Sequence, residues 1–272
     1  MTGPTEARNP RSRALDTLTA LEIVELMNRE ETSALAAVEH VAADLAATAG
    51  DVAAAYLAGG RTWYVGAGTS GLVAFTDALE IPATFGVDQD RFWAIIAGPP
   101  LGSRAVVTPD EDDREAAGAA LDAARFGPED TVVGLAASGT TPFVVEGVRH
   151  AHHLGSRTCG IANNPGTPLL EVGARSVLLD TGPEVLTGST RLKAGTAQKL
   201  AVNRISTTAM VLAGRVVSNL MVEVAPKTDK LRARCVRIVG ELAGVDADRA
   251  RDLLEASGWS IRAALTQAQS GR

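Results

Sequence analysis

The spacing of apolar positions changes twice along the chain. From about residue 19 to 57 it is helical. Leu21, Ile23, Val24 and Met27 share one side of a helix capped by Thr17 or Thr19, and Val38, Val41, Leu45 and Val52 share one side of a second, from about Ser33 to Leu57. Gly59-Gly60 closes that segment. Short apolar runs follow, at Thr62–Val65, Phe92–Ile96, Thr131–Leu135, Thr158–Ile161 and Ser176–Leu179, with candidate helices between them at about 70–80, 112–124, 142–153 and 166–172. Strands separated by helix-length segments need crossovers, so the sheet is expected to be mainly parallel and covered on both faces. The predicted fold class is α/β, a doubly wound sandwich whose ligand binds beyond the carboxyl ends of the strands.

Helical spacing then returns. It marks a long helix through Leu200 and Val202 toward Met210, further helix over 217–242, and a tail of two short helices, Asp248–Ala256 and Ile261–Ala268, around Gly258. Residues 1–18 are polar, hold Pro4 and Pro10, and read as an extended arm. The expected organisation is an arm and helices over 1–50, the α/β domain over 51–220 and a helical region over 221–272.

Composition narrows the function classes. Hydrophobic residues make up 46% and charged residues 21% of the 272, ordinary for a globular chain with a sizeable core, while aromatics at 4% leave that core to Ala, Val, Leu and Ile. A net charge of -6 argues against a nucleic-acid surface. No apolar run approaches the ~18 residues needed to span a bilayer, and no charged-then-apolar leader opens the chain. No membrane partner is expected, and the expected compartment is the cytoplasm. Cys159 and Cys235 lack metal-ligand spacing and read as reduced structural thiols. His150, His152 and His153 read as surface residues, and no metal site is expected.

Candidate chemistry lies in three polar turns. The first candidate strand runs into Gly66-Ala67-Gly68-Thr69-Ser70-Gly71, where glycines admit close approach of a ligand and Thr69 and Ser70 offer hydroxyls at a helix start. The spacing also fits a dinucleotide fingerprint, but no acid clearly closes a second strand about twenty residues on. A second turn, Ala136-Ala137-Ser138-Gly139-Thr140-Thr141-Pro142, follows the strand at 131–135 and leads into a helix whose first turn suits Pro142. Two such turns after parallel strands can converge on one anion. The third stretch, Gly182 to Lys199, is a loop feeding a helix, with Thr187, Ser189 and Thr190 as candidate caps and Arg191 and Lys193 just inside. Glu184 in that loop either touches a ligand or caps a neighbouring element.

The run Gly182-Pro-Glu-Val-Leu-Thr-Gly-Ser-Thr-Arg-Leu-Lys-Ala-Gly-Thr-Ala-Gln-Lys199 resembles the signature of N-acetylmuramic acid 6-phosphate etherases and of the related glucokinase regulatory proteins, along its whole length. Thr5-Glu6-Ala7-Arg8-Asn9-Pro10 resembles the opening of those etherases, and the paired Ser/Thr turns resemble the sugar isomerase fold over roughly residues 50–220. The tail over 244–272 resembles the small ubiquitin-associated-like module that closes the family's chains. The resemblance implies a sugar-phosphate substrate held by Gly68, Thr69, Ser70, Ser138, Thr140, Thr141, Glu184, Ser189, Thr190 and Lys193. It also implies a homodimer and no metal or organic cofactor.

Glu80 matches the family's catalytic acid in Asp77-Ala78-Leu79-Glu80-Ile81-Pro82-Ala83-Thr84, where it is expected to close a helix. Glu111, in Asp110-Glu111-Asp112-Asp113, matches the second catalytic glutamate, with Asp110 and Asp112 as alternative counterparts. Two carboxyls suit the chemistry, because cleaving a lactyl ether beside C2 of a ring-opened amino sugar needs both an acid and a base. By resemblance, Glu80 protonates departing D-lactate and Glu111 activates the incoming water. Two departures stand out. Thr140 replaces the usual Arg, and Pro99-Pro100-Leu101 replace glycine-containing sequence. They keep two alternatives open: a sugar-phosphate-binding regulator without catalysis, and an aldose–ketose isomerase.

Overall fold

The computed structural model describes residues 3–98, 105–108, 110–224, 226 and 228–270. The Pro99-Pro100-Leu101 departure lies outside the described residues. Helices α1 (Ala20–His40) and α2 (Ala42–Leu57) lead into β1 (Thr62–Ala67), α3 (Gly68–Phe85), β2 (Phe92–Ala97) and β3 (Ala105–Thr108). Then come α4 (Ala116–Ala123), β4 (Thr131–Ala136), α5 (Pro142–His153), β5 (Arg157–Ala162), α6 (Leu169–Val172), β6 (Arg175–Leu178) and α7 (Lys193–Leu212). A hairpin, β7 (Val216–Val217) and β8 (Leu220–Met221), precedes α8 (Asp229–Ala243), α9 (Ala247–Ala256) and α10 (Ile261–Ser270).

The chain forms two compact units: residues 1–79 with 90–209, and residues 80–89 with 210–272. The first holds a six-stranded sheet in the order β3-β2-β1-β4-β5-β6, parallel at every pairing. Alternation along each strand fills two cores. Trp63, Val65, Ile95, Val132 and Ala162 pack with Leu121, Phe143, Val144 and Leu169 under α4–α6. On the other face Thr48 of α2 donates to the Cys159 thiol (3.5 Å), and Tyr64 donates to Asp77 of α3 (2.7 Å), which also accepts from Ser206 of α7 (3.0 Å). Helices on both faces of a parallel sheet make the doubly wound sandwich that the spacing predicts.

The second unit packs α8, α9 and α10 around Cys235, Ile238, Val239, Leu253, Leu254 and Ile261. Asp246 caps α9 by accepting from the Arg249 N–H (2.8 Å), and Gly258 and Trp259, both at positive φ, make the turn to α10.

Several boundaries depart from the expectation for local physical reasons. The arm is not extended but folds into three short 3₁₀ turns, at 4–6, 10–12 and 15–17, two of them led by proline. The first long helix runs from its Thr19–Glu22 capping box past Ser33, whose hydroxyl folds back onto the Glu30 carbonyl (2.8 Å), and breaks at Val41. α3 continues through Pro82 to Phe85, so Glu80 lies inside the helix rather than at its end. The acidic run 110–115 forms side-chain turns instead of helix: Asp110 accepts from the Asp112 N–H (2.8 Å), and Asp113 from those of Glu115 and Ala116 (2.9 and 3.0 Å). β3 was not foreseen. Where helix is expected from 217 the chain forms the β7–β8 hairpin, turned at Ser218 with φ 54°, and α8 begins only at Asp229.

Candidate functional site

The strand order reverses direction at β1. From there β2 and β3 build one way and β4, β5 and β6 the other. A crevice opens between the carboxyl ends of the strands at such a switch point. In the first unit a cleft of about 230 Å³ lies there, lined by Ala67, Gly68, Thr69 and Ser70 after β1 and by Ala136, Ala137, Ser138 and Thr141 after β4. Glu6, Glu111 and Thr190 complete its wall.

Close packing of glycine shapes the first side. β1 passes into α3 without an intervening loop because Gly66 and Gly71 lie almost in contact. A Cβ on Gly66 would stand 2.8 Å from the Gly71 nitrogen, and one on Gly71 would stand 2.5 Å from the Ile96 side chain. Gly68, at φ 51°, turns the chain into the helix, whose first N–H groups have no helical acceptor, an arrangement that suits an anion. On the second side Gly139 (φ 71°) turns the loop back so that its N–H meets the Ala136 carbonyl (3.0 Å). The Ser138 hydroxyl accepts from the Thr140 N–H (3.2 Å) and lies 3.4 Å from the Thr141 hydroxyl.

The acidic segment docks at the start of α5, where the Phe143 N–H donates to the Glu111 carbonyl (3.2 Å). That contact brings the exposed Glu111 side chain into the cleft wall, which neither Asp110 nor Asp112 joins. Thr190 reaches the same wall because the start of α7 lies against the cradle: a Cβ on Gly195 would touch both the Thr190 carbonyl and the Thr69 methyl at 3.3 Å. An adjoining recess of about 630 Å³ shares Glu6 and Ser138 and adds Thr140, Asn164 and the turn 165–168.

The structure therefore gathers Gly68, Thr69, Ser70, Ser138, Thr141, Thr190 and Glu111 around one cleft and puts Thr140 beside it. Other expected residues lie elsewhere. Glu184 is fully buried and caps α7, accepting from the Lys193 and Ala194 N–H groups (3.1 and 3.0 Å). This replaces the hydroxyl caps expected from Thr187, Ser189 and Thr190. Burial pushes the Glu184 carboxyl up, and the two N–H donors offset part of that rise. Lys193 is also buried, its ammonium 3.1 Å from Glu30. Glu30 accepts from the Asn9 amide (2.7 Å) and pairs with Arg11 as well. Burial alone would raise its carboxyl, but these donors bring it below the ordinary value. Ser189 is half-buried outside the cleft wall. Glu80 is exposed on α3 and is not among the residues of this cleft wall.

Sequence reasoning passed over two residues that the structure brings to this edge. Asn164 follows β5 in Asn163-Asn164-Pro165-Gly166, a turn signal beyond a candidate strand. Its side chain donates to the Ala137 and Ser138 carbonyls (3.4 and 3.3 Å) and pairs with Thr5. Glu6 sits in the opening motif Thr5–Pro10, whose pattern alone assigns it no place in the site. Among the described residues no cluster of His, Cys, Asp and Glu could hold a metal ion. His150 instead bonds Asp122 (2.8 Å).

A doubly wound parallel sheet with two hydroxyl-rich turns at its switch point has the sugar isomerase fold. Solved structures agree on the fold. A protein of E. coli CFT073 superposes with a TM-score of 0.51 at 15% identity, over 74% of this chain and 97% of that one. A Francisella tularensis phosphoheptose isomerase gives 0.50 at 17%, over 71% and 98%. No protein-family model matches the chain.

Curated relatives are closer in sequence. The N-acetylmuramic acid 6-phosphate etherase of Actinobacillus pleuropneumoniae serotype 7 is 41% identical over 251 residues, 92% of this chain and 83% of that one. The enzyme of the same name from Geobacillus thermodenitrificans is 42% identical over 261 residues, 96% and 88%. That from Deinococcus radiodurans is 41% identical over 273 residues, 100% and 90%. The chain belongs to the N-acetylmuramic acid 6-phosphate etherase family.

Proposed function

We propose that this protein cleaves the D-lactyl ether of N-acetylmuramic acid 6-phosphate, giving N-acetylglucosamine 6-phosphate and D-lactate. The observation that carries the reading is the cleft itself, in which an anion cradle and a carboxylate, Glu111, face one space at the switch point. The phosphate is taken by the first N–H groups of α3 and by the hydroxyls of Ser70, Ser138 and Thr141, where the helix dipole favours negative charge. In the ring-opened sugar a base takes the C2 proton, the C2–H electron pair becomes a C2–C3 double bond conjugated with the C1 aldehyde, and the C3–oxygen pair leaves with lactate. By its match to the family's catalytic acid Glu80 protonates the leaving oxygen, and because it is not in the cleft wall of one chain a second copy must bring it there. Glu111 takes a proton from the water that adds at C3, and C2 regains its proton.

Thr140 supplies a neutral hydroxyl where a guanidinium is usual in the family, so the phosphate relies on backbone and hydroxyl donors. The working form is a homodimer in the cytoplasm. Leu72 and Leu79 are 47% and 43% exposed, and at i and i+7 on α3 they offer an apolar stripe to a second copy, which light scattering of the purified chain tests.

The deciding experiment is D-lactate release from N-acetylmuramic acid 6-phosphate by the wild type, Glu80→Ala and Glu111→Ala. Release by the wild type and its loss in both variants supports the reading. A wild type that binds the sugar phosphate and releases no lactate makes the protein a sensor instead.

A further inference from the structure

We propose that Glu6, carried on the N-terminal arm, is a substrate-binding carboxylate of this cleft that accepts hydrogen bonds from the N–H and O–H donors of an amino-sugar phosphate. The substrate class rests on the etherase reading, whereas the placement of Glu6 does not.

The arm is fixed on both sides of Glu6. On one side Thr5, almost fully buried, donates its N–H to Asn164 Oδ1 (3.1 Å), and its hydroxyl accepts from Asn164 Nδ2 (2.9 Å). Gly3 lies so close that a Cβ there would stand 2.4 Å from the same asparagine. On the other side the buried Asn9 donates to Glu30 (2.7 Å) and to the Pro183 carbonyl (3.2 Å). Between these anchors a single 3₁₀ turn, closed by Glu6 N–H to the Gly3 carbonyl (3.0 Å), presents the Glu6 side chain. Two buried anchors hold the backbone on either side of one exposed acid.

Glu6 belongs to the wall of the cleft with Thr69, Ser70, Glu111 and Ser138, and to the wall of the adjoining recess. Gly188 makes room for it. At φ 76°, a Cβ on Gly188 would stand 3.3 Å from Glu6 Oε2, so a side chain there is disfavoured by both backbone and contact. No described residue donates a hydrogen bond to the Glu6 carboxylate. A carboxylate at the wall of a binding cleft without a protein donor is complementary to neutral donors on a ligand and repels a phosphate dianion. The cradle takes the phosphate on backbone and hydroxyl donors, which leaves the sugar's acetamido N–H and hydroxyls as the matching groups for Glu6. Asn164 joins the two halves, since the side chain that holds Thr5 also donates to the loop carrying Ser138.

The test is calorimetric titration of the full chain with N-acetylglucosamine 6-phosphate and with inorganic phosphate, for the wild type, Glu6→Ala and Glu6→Gln, with melting temperature as the fold control. Glu6→Ala is expected to weaken the sugar phosphate by about 10- to 100-fold, the range for a charge-assisted hydrogen bond, while inorganic phosphate binds as before or tighter. Glu6→Gln, which keeps one acceptor oxygen, is expected to fall between. A loss in Glu6→Ala below about tenfold, or an equal loss for inorganic phosphate, overturns the proposal. If Glu6→Ala lowers the melting temperature, Glu6→Gln decides, with about threefold as its threshold. The wild-type lactate assay keeps the two readings apart: selective loss of sugar-phosphate affinity without lactate release leaves Glu6 in place and removes the etherase.

Discussion

Replacing Lys193 by methionine separates a buried structural lysine from a ligand-binding one. Its side chain and that of Glu30 are each 2% exposed, and the ammonium stands 3.1 Å from the carboxylate. Removing one member of a buried ion pair costs about 3–5 kcal/mol, because the other is left charged and out of water. In Lys193→Met the abandoned carboxylate keeps the Asn9 amide and the Arg11 guanidinium, so the lower end applies, about 3 kcal/mol. In Glu30→Gln the abandoned ammonium faces an amide, with the Glu184 carboxylate near enough to interact electrostatically, and the expected loss is about 3–4 kcal/mol.

The double variant buries no charge at this point and is expected to lose about 1–2 kcal/mol, well short of the sum of the singles. Urea unfolding in a Trp259→Phe background reads the first unit through Trp63 and Trp93, since Trp259 packs in the second. Additive losses, or a loss under about 1 kcal/mol in Lys193→Met, would refute the buried pair. A normal stability with a raised KM would move Lys193 to the substrate.

Further expectations follow from the same contacts. Gly139→Ala places a Cβ 2.1 Å from the Thr167 hydroxyl at φ 71°, and a loss of about 2–4 kcal/mol with weaker sugar-phosphate binding is expected in urea unfolding and calorimetry. The carboxyl of Glu30 is held below its ordinary 4.5, so the stability it contributes is fully present above pH 4.5 and is lost as pH falls below that. Glu184 works in the opposite sense. Its raised carboxyl contributes stability below pH 4.5 that is lost as pH rises through the folded value, and Glu184→Gln should flatten that part of the urea-midpoint profile. Burial pushes the Cys159 thiol up to about 12 and raises Cys235 as well, so a thiol reagent at pH 8 should label neither in the native protein and both in denaturant. Fast native labelling would contradict the packing of both cores.

The doubly wound order was legible because each buried strand is a short apolar run and each crossover restores helical spacing. Where an element is too short to carry a period, that signal vanishes. β3 has four residues, and β7 and β8 have two each. The cradle was legible for a different reason: glycine and hydroxyl residues directly after a strand are costly unless backbone must turn sharply or meet a ligand. Of the two readings open for Glu184 the structure shows the helix cap, and Lys193 lies in the fold's interior beside Glu30, outside the cleft wall. A polar residue in a signature loop reads the same whether it meets ligand or a partner within the fold, and burial is set by elements far away in sequence.

That same distance explains why the stretch from 182 to 193 is so irregular and so telling. It precedes α7 without strand or helix of its own, so its backbone must be ordered by what surrounds it. Asn9 holds the Pro183 carbonyl, Ser33 holds that of Thr181 (3.2 Å), and Glu184 turns inward to cap α7. Lys193, the first residue of that helix, returns to Glu30, which already holds Asn9. Arm, α1 and loop thus close through one buried carboxylate, and Thr190 and Glu6 reach the cleft from the loop and the arm that this closure orders. A change in any of the three segments shifts the others. The residues that resemble the family most specifically are accordingly those whose conformation no local rule dictates.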